Sequence, residues 1–145
     1  MKIKYIFLAS LAMVFIVAIL LITGSPLLTL PTPGLKGVPL GTFITWVGLM
    51  SLPYAIFWGS DDLRNPKSKL ERSLNILLIS AFIMAVLWIP VSYLLAGNMS
   101  FNFTEKASFQ GGQSAMRLFW TYTYCVVGFP ILILLLFIVL KSKIT

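Results

Sequence analysis

Few residues in this sequence have the chemistry for catalysis or metal binding. There is no histidine, and Cys125 is the only cysteine. The four carboxylates are Asp61, Asp62, Glu71 and Glu105, and none of them lies inside a long apolar segment. The lack of histidine excludes histidine-ligated haem, histidine-containing zinc sites and histidine-based catalytic triads.

The remaining nucleophiles lack an activating partner. Serine, threonine, tyrosine and Cys125 occur in the apolar segments without an acidic or histidine side chain to remove their proton. We interpret Cys125 as a small packing residue, because a thiol in apolar surroundings behaves as a small hydrophobe. The prediction is a protein that is not an enzyme and that binds no cofactor and no metal.

The composition indicates an integral membrane protein. The chain has 145 residues, of which 59% are hydrophobic and 10% charged, whereas soluble domains have about 45–50% apolar and about 25% charged residues. Because so few charged residues cannot form a hydrated surface, lipid must be the solvent for most of the chain. We attribute the net charge of +7 to lysines and arginines that flank the spans, and expect no nucleic-acid partner.

Four apolar segments are long enough to cross a bilayer, which takes about 20 residues for a core of about 30 Å. The predicted spans are residues 5–23, 40–59, 74–96 and 115–140, joined by outer loops 24–39 and 97–114 and a cytoplasmic loop 60–73. The predicted fold class is all-α: residues 1–145 form one membrane domain, a four-transmembrane-helix bundle with two structured outer loops. The first segment exceeds the length of a signal-peptide core, so we expect a retained span.

The basic residues predict the orientation, because lysine and arginine accumulate on the cytoplasmic side. Eight lie on one side of the predicted spans: Lys2, Lys4, Arg64, Lys67, Lys69, Arg72, Lys141 and Lys143. Three lie on the other: Lys36, Lys106 and Arg117. With four spans, both termini are predicted to be cytoplasmic, and the plasma (inner) membrane is the expected location.

The second span carries small residues at helical spacing: Gly41, Thr45, Gly48, Ala55 and Gly59. They fall within about 40° of one helix face, and small residues let two membrane helices approach closely. We favour packing within the chain's own bundle over a subunit interface. A weaker stripe on the fourth span, Thr121, Cys125 and Gly128, is interpreted in the same way.

Prolines interrupt three spans, at Pro53, Pro90 and Pro130. Each removes one helical hydrogen bond and tends to kink its helix. Transporters place broken helices at binding sites, but these prolines lie at different depths, so we favour structural kinks. The tryptophans, among them Trp46 and Trp88, fall mainly toward span ends, as expected for rings at the membrane interface.

The first outer loop is the best candidate for contact with a partner. Residues 24–39 contain four prolines and three glycines, with Lys36 the only charge. The prolines forbid a regular helix, while five apolar side chains must lie against the second loop, the membrane surface or a partner: Leu27, Leu28, Leu30, Leu35 and Val38.

Local signals complete the layout. Apolar residues alternate with polar ones over residues 99–104, which predicts a short strand, and Asn98 and Asn102 begin glycosylation sequons. Ser68 and Glu71 fit a capping box for the third helix, and Ser114 fits an N-cap for the fourth. Arg117 and Trp120, near the start of the fourth helix, are expected at the lipid headgroups or an interface.

The leading hypothesis is a non-enzymatic small membrane subunit that scaffolds, senses or regulates within a larger homo- or hetero-oligomeric complex. Its expected partners are the lipid bilayer and either other membrane subunits or further copies of itself. The alternative is an oligomeric channel or small-solute transporter, with span hydroxyls such as Thr45 and Tyr122 in its path. A further alternative, a bacterial immunity or anti-phage membrane protein, rests on size and topology alone.

Overall fold

The computed structural model describes residues 2–101, 103 and 109–142. Of the described residues, 79% are helical and none lies in a strand, so the all-α prediction is confirmed. Four residues used in the sequence interpretation lie outside the described ranges: Asn102, Glu105, Lys106 and Lys143.

Six α-helices and one 3₁₀ turn, Pro26–Thr29, make up the described chain. The helices are α1 (Lys2–Ile22), α2 (Leu40–Gly59), α3 (Asp61–Arg64), α4 (Lys69–Val86), α5 (Trp88–Ala96) and α6 (Gly112–Ser142). Helices α1, α2 and α6 are each long and apolar enough to cross a membrane. Helices α4 and α5 meet at an angle of 46° and supply a fourth span if the bent pair is counted as one.

Helix α2 is the centre of the arrangement. It contacts α1, α4, α5 and α6, whereas α1 contacts only α2 and the 3₁₀ turn among the described elements. One core cluster, around Trp88, Phe101 and Phe119, lies beside the loops that follow α1 and α5. We call that end of the bundle the loop end. A second cluster, around Leu63 and Leu78, lies at the opposite end.

Pro90 explains the break between α4 and α5. Proline has no N–H, so the carbonyl of Val86, four residues earlier, loses its usual helical donor. Helix α4 ends at Val86, and α5 begins at Trp88. The kink expected at this proline is present, whereas α2 and α6 continue through Pro53 and Pro130.

Side chains from two other helices donate to the carbonyls at this bend. Trp46 Nε1, on α2, lies 3.1 Å from both the Ala85 and the Val86 carbonyl oxygens. The Tyr122 hydroxyl, on α6, donates to the Met84 carbonyl at 2.7 Å. Since hydrocarbon offers no water to replace a missing donor, these bonds stabilise the bent conformation and join α2 and α6 to it.

The strand predicted over residues 99–104 is wrong for its described part. Asn98 Oδ1 accepts from the Ser100 and Phe101 backbone N–H groups at 2.9 and 3.2 Å, and the Phe103 N–H donates to the Ser100 carbonyl at 2.9 Å. Phe101 has a φ of 46°. An asparagine side chain that captures the following backbone favours a turn, and this effect outweighs the alternating pattern.

The two predicted helix caps differ in outcome. The capping box is confirmed: Ser68 Oγ accepts from the Glu71 N–H at 3.1 Å, and Glu71 Oε2 accepts from the Ser68 N–H at 3.1 Å. The N-cap at Ser114 is wrong, because α6 begins two residues earlier at Gly112, and Ser114 Oγ donates to the Gly111 carbonyl at 3.1 Å.

The Trp46 bonds generate a test by double-mutant cycle. Trp46→Phe removes the donor and is expected to lower the free energy of unfolding by about 0.5–2 kcal/mol. In a Pro90→Ala background, residue 90 regains its N–H. Trp46→Phe should then lower the free energy of unfolding by less than half as much. The measurement is chemical unfolding in detergent, with Trp120→Phe, at an exposed ring on α6, as the control. If Trp46→Phe lowered the free energy of unfolding equally in both backgrounds, the role of Trp46 as a replacement donor at the bend would be wrong.

Candidate functional site

The stripe of small residues on α2 faces other parts of the same chain. A Cβ atom added to Gly48 would lie 2.5 Å from Val17 Cγ1, and one added to Gly59 would lie 2.8 Å from Phe7 Cε2, both on α1. At the loop end, a Cβ on Gly41 would lie 2.7 Å from the Leu28 carbonyl oxygen.

The other two stripe residues, Thr45 and Ala55, are buried, at 7% and 4% exposure. The face that they share with the glycines is therefore covered within the chain. These contacts are those of intrachain helix packing, which is the interpretation the sequence favours.

The weaker stripe on α6 does not pack within the chain. Thr121, Cys125 and Gly128 are exposed, and no atom lies within 4 Å of a Cβ placed on Gly128. The expectation of intrachain packing is therefore wrong for this stripe. Helix α1 packs on α2 and does not contact α6 in the described part of the chain. Spacing alone does not distinguish two such stripes, because both satisfy the same helical period.

The first loop, residues 24–39, is closed by its own backbone. The Thr32 N–H donates to the Val38 carbonyl and the Leu40 N–H donates to the Leu30 carbonyl, both at 2.8 Å. These bonds flank an isolated bridge between Pro31 and Pro39. The loop is thus a fixed structure rather than an open connection.

Two side-chain bonds fasten the two loops together. Ser100 Oγ, in the loop after α5, donates to the Gly37 carbonyl at 2.8 Å. Thr42 Oγ1, fully buried at the start of α2, donates to the Met99 carbonyl at 2.7 Å. The described residues of the second loop therefore support the first loop from one side.

The five apolar residues expected to contact a partner divide into two groups. Leu28 is 5% exposed and Val38 is partly buried, so both contribute to the bundle. Leu27, Leu30 and Leu35 are 40–48% exposed. We call these three the loop leucines. They are large apolar side chains held by a closed backbone, with the exposed Lys36 beside Leu35.

Arg117 and Trp120 lie on the exposed side of α6. Arg117 is exposed, and the Trp120 ring, at 37% exposure, stacks on Tyr124 with the ring centres 5.7 Å apart. Neither belongs to the buried aromatic cluster of the loop end.

The role of two tryptophans was missed from the sequence. Trp46, partly buried, and Trp88, buried, are hydrogen-bond donors to other helices of the bundle. Trp88 is 1% exposed, and its Nε1 donates to Thr123 Oγ1 at 2.9 Å. Pro90 was the available signal, since it leaves a carbonyl that some other donor must satisfy.

The end of the bundle opposite the loops carries the ordered ion pairs, and we call it the charged end. Lys141 Nζ lies 2.6 Å from Asp62 Oδ2 and so joins the end of α6 to α3. Arg64 pairs with Asp61, and its guanidinium lies 5.4 Å from the centre of the Trp58 ring. Hydrogen bonds from Arg64 and Asn65 lower the pKa of Asp61 below its usual value.

The span hydroxyls proposed for a channel lie apart. Thr45 Oγ1 is on the α2 face covered by α1 and has no hydrogen-bond partner, whereas the Tyr122 hydroxyl donates at the bend. In the described part of the chain, no group of three or more histidine, cysteine, aspartate and glutamate residues is placed to hold a metal ion.

No protein-family model matches the chain, and no curated protein or solved structure matches it either.

The α2 stripe and the α6 stripe provide a matched pair of substitutions. Gly48→Leu forces a side chain into Val17 and is expected to lower the free energy of unfolding by about 1–3 kcal/mol. Gly128→Leu places the same side chain in open space and should change stability by less than about 0.5 kcal/mol. Chemical unfolding in detergent measures both. If the two variants lost equal stability, the packing of α1 on the α2 stripe would be wrong.

Proposed function

We propose that this chain is a non-enzymatic membrane subunit that scaffolds or regulates a larger assembly through its loop end. The observation that carries the proposal is the exposure of the loop leucines on a closed, proline-rich loop. Exposed apolar side chains grouped on one segment are typical of sites that bind another protein or the membrane. Loops supported by a rigid scaffold are also common binding elements.

The order of the loop supports binding rather than passive connection. Its ends are joined by backbone hydrogen bonds, and Ser100 fixes its far side at Gly37. A segment that is ordered before binding loses little conformational entropy when a partner arrives. Of the four leucines in this loop, Leu28 is buried against the bundle and the three loop leucines stay exposed.

We further propose four spans in the plasma (inner) membrane, with both termini and the charged end in the cytoplasm. The basic residues support this orientation: Arg64, Lys67, Lys69, Arg72 and Lys141 surround the charged end. The bent α4–α5 pair serves as the third span, because its two helices together are as apolar as a span requires.

The orientation is testable by labelling single cysteines in a Cys125→Ser background. Lys36→Cys, in the first loop, is expected to react with a membrane-impermeant maleimide in intact cells. Lys67→Cys, at the charged end, should react only after the membrane is permeabilised. Both positions are exposed, so access to reagent is matched. The reverse pattern, or labelling of both in intact cells, would refute the orientation.

Photo-crosslinking tests the proposed binding surface. A photoreactive amino acid at Leu30 or Leu35 is expected to give a discrete adduct with one protein in native membranes, while the same residue at Leu94, 81% exposed on α5, should not. A Leu30→Ser/Leu35→Ser double variant should reduce recovery of that partner by at least about tenfold, as expected for the loss of an apolar anchor. Equal crosslinking from Leu94, or solute flux through liposomes containing only this chain, would contradict the proposal.

A further inference from the structure

A groove of about 500 Å³ opens between α1 and α6 at the charged end. Helices α1 and α6 both pack on α2 but do not contact each other among the described elements. The small residues Ala55 and Gly59 of α2 form its floor, Phe7 and Val14 of α1 line one wall, and Ile138 of α6 lines the other. A volume of roughly 300–1,000 Å³ is typical of ligand sites.

The groove is shorter than one membrane leaflet. From Phe7 to Val14, the α1 residues that line it, the helix rises about 10 Å at 1.5 Å per residue, which is about a third of a hydrocarbon core of about 30 Å. Because ionised groups avoid the core, the carboxylates of Asp61 and Asp62 place the polar end of the groove at the headgroups. The first part of one acyl chain extends over the same depth.

The depth of the groove argues against a helix as its occupant. A partner's membrane helix would continue past Val14 toward the other leaflet, where the groove has ended. A hydrocarbon chain is thin enough to enter the groove and flexible enough to leave it at Val14.

The polar end carries charges of both signs. Asp61, Asp62 and Lys141 line it, and Lys4 lies on the same face of α1 as Phe7, since residues three apart are neighbours on a helix. A carboxylate has about four acceptor positions, so Asp61 and Asp62 can accept further bonds beside those from Arg64, Asn65 and Lys141. Lysine ammonium groups bind phosphate oxygens.

We propose that this groove binds one zwitterionic phospholipid with a primary-amine headgroup, such as phosphatidylethanolamine. One acyl chain lies along Phe7, Val14 and Ile138, the headgroup ammonium donates to Asp61 and Asp62, and the phosphate accepts from Lys4 and Lys141. A choline headgroup has no N–H to donate, and a glycerol headgroup, as in phosphatidylglycerol, offers the carboxylates no cation. This site is at the opposite end of the bundle from the loop leucines and does not rest on the proposed partner.

Native mass spectrometry of the full chain, released from micelles containing equal amounts of phosphatidylethanolamine, phosphatidylcholine and phosphatidylglycerol with identical acyl chains, tests the proposal. We expect one phosphatidylethanolamine per chain, retained about tenfold over each of the others, as charge-assisted hydrogen bonds predict. Equal retention of all three lipids, or preference for phosphatidylglycerol, would overturn it.

A pair of variants on α6 locates the lipid. Ile138→Trp fills the groove and should remove the retained lipid, while Leu135→Trp adds the same ring at a position of similar exposure (55% against 53%) that does not line the groove. Circular dichroism confirms that both variants are helical. Equal loss of lipid from both would refute the location. A lipid-free dimer of the unmodified chain that Ile138→Trp dissociates would show that a second copy occupies the groove, and would also overturn the proposal.

Discussion

The requirement that every backbone carbonyl in hydrocarbon find a donor determines how this bundle is assembled. Pro90 withdraws one donor from the α4–α5 pair, and its ring clashes with the carbonyl four residues earlier, so the pair bends by 46° and carbonyls at the bend lose their helical donors. Trp46 and Tyr122 supply donors from α2 and α6. A side-chain donor must lie within about 3 Å of its acceptor. The bonds from Trp46 and Tyr122 therefore fix the positions of α2 and α6 relative to the bend. Three of the four apolar segments are thereby tied together by polar bonds at one level.

Helix α1 takes no part in this bonding, and its position has a different cause. Among the described α-helices it packs only against α2, where Gly48 and Gly59 let Val17 and Phe7 approach the α2 backbone. Close packing of small residues is the main source of association between helices where lipid removes the hydrophobic drive. The consequence is an asymmetric molecule. One side of α6 is left uncovered, and a groove opens between α6 and α1.

The sequence predicts the elements governed by local rules. Apolar length gives the helical segments, and the Ser68–Glu71 pattern predicts its cap, because each depends on residues close in the chain. It does not predict relations set by distant residues. The two small-residue stripes satisfy the same period, yet only the one on α2 is covered. Residues 99–104 alternate between apolar and polar, but the Asn98 side chain accepts from the backbone of Ser100 and Phe101 and favours a turn. The period of apolar residues does not include such bonds. The hydrogen-bonding role of Trp46 depends on acceptors about 40 positions away in the chain, which no local pattern shows.

The α1–α2 contact also connects the two ends of the molecule. At the loop end, Gly41 allows the Leu28 carbonyl to lie against α2, and Leu28 belongs to the loop that exposes the loop leucines. At the charged end, Gly59 admits the Phe7 ring, which forms one wall of the groove. Both surfaces therefore depend on how α1 sits along one continuous helix face. A shift of α1 on α2 would move the first loop and change the width of the groove together, whereas the bend at Pro90, held by α2 and α6, would stay in place.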